Sequence, residues 1–127
     1  MIIGTILNCG DNASTQTYYT PWTNAVGNWA KMVLEVLNVA GADVKVTVQT
    51  KTEEEADSAA FGSTREWPMS GAVSTVGLHP WDAGKTFTDG TTAGLLQLIR
   101  FKIEVGSTNG ALGLINCRLL NPSWQTH

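Results

Sequence analysis

Chemistry needs a nucleophile, a base or a set of ligands, and this chain offers few residues of those types. Its only imidazoles are His79 and His127. A Ser-His-Asp or Cys-His arrangement would have to use one of them, and His127 is the last residue. His79 stands before Pro80 in His79-Pro-Trp-Asp-Ala-Gly84, a stretch read as a turn, where a solvated or locally bonded histidine is the ordinary outcome. Cys9 and Cys117 lie far apart, and the two histidines do not complete a zinc set with them. The 13 glycines are dispersed at turns and nowhere form G-x-G-x-x-G or a Walker pattern.

Paired carboxylates for glycoside hydrolysis would have to come from Glu35, Glu66, Glu104 or the run at 53–57. None is read as embedded in the aromatic, apolar pocket that raises the pKa of an acid catalyst. The run itself, Glu53, Glu54, Glu55 and Asp57, is a candidate calcium site because it brings oxygen ligands close together. It lacks the Asp-x-Asn-x-Asp alternation and the turn glycine of a dedicated calcium loop, and a solvated loop is its plainer reading. The expectation is therefore a non-enzymatic protein with no cofactor.

Five tryptophans in 127 residues is a high content. Trp22, Trp67, Trp81 and Trp124 fall in expected loops or strand ends. There they can plug the open ends of a layered core, anchor an interface, or stack on sugar rings. Plugging is the plainest of the three. The stacking candidates are Trp67 and Trp81, and they define the alternative function: a carbohydrate-binding module with polysaccharide as its partner.

The elements that must position these residues are strands. Val44, Val46 and Val48 alternate with Lys45, Thr47 and Gln49, the period of a strand with one buried face. With Trp29–Asn38 before it and Val39–Asp43 as a turn, this reads as a β-hairpin over 29–50. The first arm also fits helical spacing through Trp29, Met32, Val33, Val36 and Leu37, with Lys31 and Glu35 as an i,i+4 pair. Its valines and the short glycine-containing turn favour the strand. Residues 95–105 are a second clear strand: Ile99, Phe101, Ile103 and Val105 face in, while Arg100, Lys102 and Glu104 face out. Asn109-Gly110 marks a hairpin to 111–120. Residues 2–9, 64–70 and 72–78 read as shorter strands. The fold class is all-β, an antiparallel β-sandwich or jelly roll of about seven to nine short strands, in a single domain spanning 1–127.

Apolar residues make up 43% and charged residues only 15%, against a usual charged share of about 25%. A surface so thinly charged leans toward burial in copies of the same chain. The net charge is −3, and the basic residues (Lys31, Lys45, Lys51, Arg65, Lys85, Arg100, Lys102 and Arg118) are scattered singly, so no nucleic-acid partner is expected. No apolar run spans a bilayer and no signal peptide is legible, so the expectation is no membrane and a cytoplasmic or virion origin, or a leader already removed. Cys9 and Cys117 fall in the first and last strands, where a disulfide is geometrically possible and two buried thiols are the plainer reading.

The segment Leu34-Glu-Val-Leu-Asn-Val-Ala-Gly-Ala-Asp-Val-Lys-Val-Thr-Val-Gln-Thr-Lys51, followed by Ile99-Arg-Phe-Lys-Ile103 and Asn116-Cys-Arg-Leu-Leu120, resembles small jelly-roll modules of phage virion and other self-assembling proteins. The resemblance implies a fold and a structural role and transfers no binding residue. The last strand is apolar on both faces, with Leu112, Leu114 and Leu120 on one and Ile115, Cys117 and Leu119 on the other. A strand of that kind is covered twice or meets another subunit. The expected interface is Ile3, Leu7, Leu112, Leu114, Leu120 and Trp124, with the terminal segments 1–9 and 121–127 engaged between copies.

Overall fold

Alternation of apolar and polar residues becomes strand in every long segment that carries it. The computed structural model describes residues 5–8, 15–57, 65–84, 94–108 and 113–125, with no helix among them. In chain order the strands are β1 (Thr5–Asn8), β2 (Gln16–Tyr19), β3 (Thr23–Asn24), β4 (Trp29–Ala40), β5 (Ala42–Lys51), β6 (Glu66–Pro68), β7 (Gly77–Gly84), β8 (Leu98–Ser107), β9 (Leu114–Leu119) and β10 (Ser123–Gln125). Among the described residues no helix is long and apolar enough to cross a membrane.

The strands form two antiparallel sheets. The first runs β1–β9–β4–β7, with β10 continuing beside β4 past the end of β9. The second runs β2–β8–β5–β6, with β3 continuing β2 along β8. One buried cluster draws on both: Ala30, Met32, Leu34 and Val36 of β4, Val44, Val46 and Val48 of β5, and Ile99, Phe101, Ile103 and Val105 of β8. The ambiguous segment 29–38 is strand. Its buried residues follow period two, and pairing to β9 and β7 on its two sides outweighs the helical spacing.

Neither expected hairpin forms, because the two arms of each lie in different sheets. β4 pairs with β7, β9 and β10, whereas β5 pairs with β6 and β8, so the arms of 29–50 do not pair with each other. Each arm carries a full apolar face, and a corner lets the two faces meet across the core rather than lie side by side. Gly41 makes the corner at φ 67°, a left-handed conformation that glycine adopts without steric cost. The chain from β8 to β9 likewise crosses from the second sheet to the first. Among the described strands β5 and β6 are the successive pair joined as sheet neighbours.

The expected turn at 79–84 is instead most of β7, which pairs with β4 from Val36↔Gly77 to Trp29↔Gly84. Pro80 lacks an N–H, yet among the described strands β7 is an edge, where one side of the ladder needs no donor. Pro68 occupies the same kind of position in β6, the edge of the other sheet. The two edges are tied together where Trp81 Nε1 donates to the Trp67 carbonyl at 3.0 Å. Cys117 is a buried free thiol facing Thr5 and Val36 in register, and burial pushes its pKa up to about 11. Cys9 lies outside the described residues.

Candidate functional site

The solvent sides of the two sheets differ in chemistry. On the first sheet, alternation puts Val33 and Glu35 of β4 outward, beside Pro80 and Leu78 of β7. On the other flank of β4, Arg118 pairs with Glu35, and Leu120 N donates to the Val33 carbonyl at 3.0 Å. The result is an apolar row, Leu120–Val33–Pro80, between two charged rows. Lys31–Asp82 bounds it on one side at 3.3 Å and Arg118–Glu35 on the other at 2.5 Å. Leu78, Leu37 in the bulge of β4, and Leu114 add exposed apolar area, at 60%, 50% and 39% exposure.

The solvent side of the second sheet is polar and aromatic. Past Tyr19 the edge chain breaks step: Thr20 N donates to the Phe101 carbonyl, and Phe101 N donates to Thr20 Oγ1. Pro21 follows and Trp22 meets two cations. The Arg100 guanidinium stacks 4.3 Å from the Tyr19 ring centroid and 4.7 Å from that of Trp22, and Lys51 Nζ lies 5.1 Å from Trp22. Arg100 Nε donates to Gln49 Oε1 at 2.7 Å, and Gln49 Nε2 to Glu66 Oε2 at 2.6 Å. This network covers Thr47, Gln49 and Lys51, whose side of β5 the alternation leaves to solvent. Toward the other end of the face, Thr15, Asp43, Lys45, Ala72, Glu104 and Gly106 line a cleft of about 230 Å³.

The acidic run is occupied by cations of the chain itself. Arg65 Nη1 donates to both carboxylate oxygens of Glu55, at 2.6 and 2.7 Å, and holds that carboxyl below the usual range, helped by the Thr52 N–H. Lys51 Nζ reaches Asp57 at 2.6 Å and the Glu55 carbonyl at 2.9 Å. Glu53 and Glu54 point to solvent. The four acids therefore do not converge as a calcium site, because neighbouring basic side chains claim two of them. Among the described residues no three metal-ligating side chains gather.

Trp67 and Trp81 are buried at 9% and 8% exposure in the core cluster, so neither offers a face on which a sugar could stack. They sit at the flank where the two sheets meet, and the Trp81 N–H is spent on Trp67. Trp124, expected at an interface, packs partly buried against the core, with its backbone opposite Ala30. Leu114 and Leu120 do lie on the apolar outer face. Ile3 and Leu112 lie outside the described residues, and Leu7 is placed by its backbone register opposite Ile115. Val33, Leu37, Leu78 and Pro80 were missed as surface residues. Reading 79–84 as a turn hid the strand that brings Leu78 and Pro80 beside β4. His79 Nε2 donates to the Thr75 carbonyl at 2.9 Å, a locally bonded histidine inside a strand.

Comparison with protein-family models, with curated proteins and with solved structures finds no match.

Proposed function

We propose that this chain is a non-enzymatic structural subunit that assembles with copies of itself through the outer face of the β4 sheet. The observation that carries the reading is the apolar row Leu120–Val33–Pro80, with Leu78, Leu37 and Leu114 around it, on a sheet face that in a monomer would alternate toward polar. In both flanking ion pairs the cation lies toward β9 and β10 and the carboxylate toward β7, so a second copy packed in the reverse direction meets complementary charges. Burying apolar side chains of this kind contributes roughly 25 cal/mol per Å².

The finer fold we propose is a jelly roll. Strand orders β1–β9–β4–β7 and β2–β8–β5–β6, with nearly every connection crossing between sheets, support two nested Greek keys closing as a sandwich. That agrees with the resemblance to small virion modules, in which such a sandwich is a building block. Edge-to-edge addition is disfavoured at β6 and β7 because Pro68 and Pro80 interrupt the ladder there. The exposed apolar row lies on a sheet face rather than along an edge, so face-to-face packing is the mode of assembly we infer.

Analytical ultracentrifugation at micromolar concentration tests this. The expected result is an oligomer that Leu78→Glu or Val33→Lys converts to monomer with an unchanged circular dichroism spectrum. A wild-type chain that sediments as a monomer throughout overturns the reading.

A further inference from the structure

The cleft on the outer face of the β5 sheet lies apart from the proposed assembly surface, and its chemistry differs from everything around it. Gly106 sits inside β8, directly opposite Asp43. Its φ is not among the positive ones, so the backbone does not demand glycine there. Space does: a Cβ at 106 would stand 2.8 Å from Asp43 Oδ1 and 3.6 Å from Thr15 Oγ1. Glycine inside a strand is unfavourable for the sheet and commonly marks a close approach by another group. Here it leaves a floor of bare backbone below a carboxylate and a hydroxyl.

Asp43, Lys45 and Glu104 surround that floor. Lys45 and Glu104 are directly opposite across the ladder, the arrangement in which an ion pair ordinarily closes. They make none, and none of the three has a side-chain hydrogen bond or ion pair among the described residues. The same sheet closes Lys51 on Asp57, Arg65 on Glu55 and Arg100 on Gln49. The cleft thus holds two acceptor carboxylates, one three-proton donor and a hydroxyl, all half-buried or at the rim and all with capacity unspent.

We propose that this cleft binds one ring of a neutral saccharide, with Tyr19 as the platform for a ring two units further along the same oligosaccharide. Two carboxylates beside one ammonium disfavour an anion, and Lys45 disfavours a simple cation. A ring with adjacent hydroxyls uses all the groups at once: hydroxyls donate to Asp43 and Glu104 and accept from Lys45. The volume is below the roughly 300–1,000 Å³ of sites for drug-sized ligands, which suits a single pyranose. Thr15, Thr17 and Tyr19 follow one another on the same side of the edge strand, placing Tyr19 about 13 Å from Thr15 at the usual strand rise. Tyr19 is 52% exposed while Arg100 stacks on its ring and holds it in place.

The test is a ¹⁵N–¹H NMR titration of the whole chain with glucose, galactose, mannose and xylose, then with cellotriose, maltotriose, mannotriose and xylotriose, and with glycine as a zwitterion. The expected result is that at least one sugar shifts the amides of Asp43, Lys45, Glu104 and Gly106 at millimolar concentration, and that its trisaccharide also shifts Tyr19. Gly106→Ala fills the floor and Glu104→Gln removes a carboxylate without changing shape; each should weaken that sugar at least about tenfold. Glu104→Gln keeps the test valid should Gly106→Ala disturb the strand. No shift with any of these sugars, an affinity unchanged in Glu104→Gln, or the same shifts produced by glycine alone would each overturn the proposal.

Discussion

Thr50 is a fully buried hydroxyl with both of its capacities used. Its Oγ1 donates to the Leu98 carbonyl at 2.9 Å and accepts from Leu96 N at 2.7 Å. Thr50→Val keeps the shape and strands both backbone groups, so urea denaturation should show a loss of about 2 kcal/mol. Cys117 makes a pH-dependent contribution of known sign. Burial pushes the folded thiol up to about 11 from an ordinary 9.0, so the folded state holds the proton more tightly. That contribution is complete below pH 9.0 and is lost as pH rises through about 11. Wild type should lose stability relative to Cys117→Ala across that window, and equal slopes in urea titrations would refute it. Neither effect was legible in the sequence, because a threonine at the end of an alternating run and a cysteine in an apolar one carry no mark of what lies opposite them.

At the scale of elements, legibility followed the strength of the local pattern. Val44–Val48 and Ile99–Val105 announced their buried faces, and both are buried as read. What was not legible was partnership. Alternation reports that a strand has two different sides, and it is silent about whether the next strand joins the same sheet. Gly41 suits a tight hairpin and a corner between sheets equally well, so the hairpin at 29–50 was a fair inference from local rules and still wrong. β7 was missed because Pro80 argues against a strand unless the strand is at an edge. The corner gives a direct prediction: Gly41→Ala forces a side chain into the left-handed region at φ 67°. It should cost about 1 kcal/mol in equilibrium unfolding, with the spectrum of the folded state unchanged.

For the whole molecule, pairing is dominated by segments distant in sequence. β1 pairs with β9, β2 with β8, and β5 with β8. Chains built this way close long loops before contacts reward them, so stopped-flow refolding should fall in the range of roughly milliseconds to seconds. Relaxation in microseconds would contradict the topology described here. The candidate surfaces were the least legible feature of all. The low charge content foretold a thinly solvated exterior, but a one-dimensional pattern cannot say which outward residues from three different strands come to lie side by side. Leu120, Val33 and Pro80 are far apart in the chain and neighbours only after the first sheet has formed.

The bond from the Trp81 indole to the Trp67 carbonyl gives the protein a built-in optical gauge. Both rings are shielded from water in one shared environment, and each belongs to a different sheet. Their near-ultraviolet ellipticity and the proton shift of that single indole therefore report the spacing of the layers. A loosened state that keeps its strands but lets the layers part would lose this signal while its far-ultraviolet spectrum persisted.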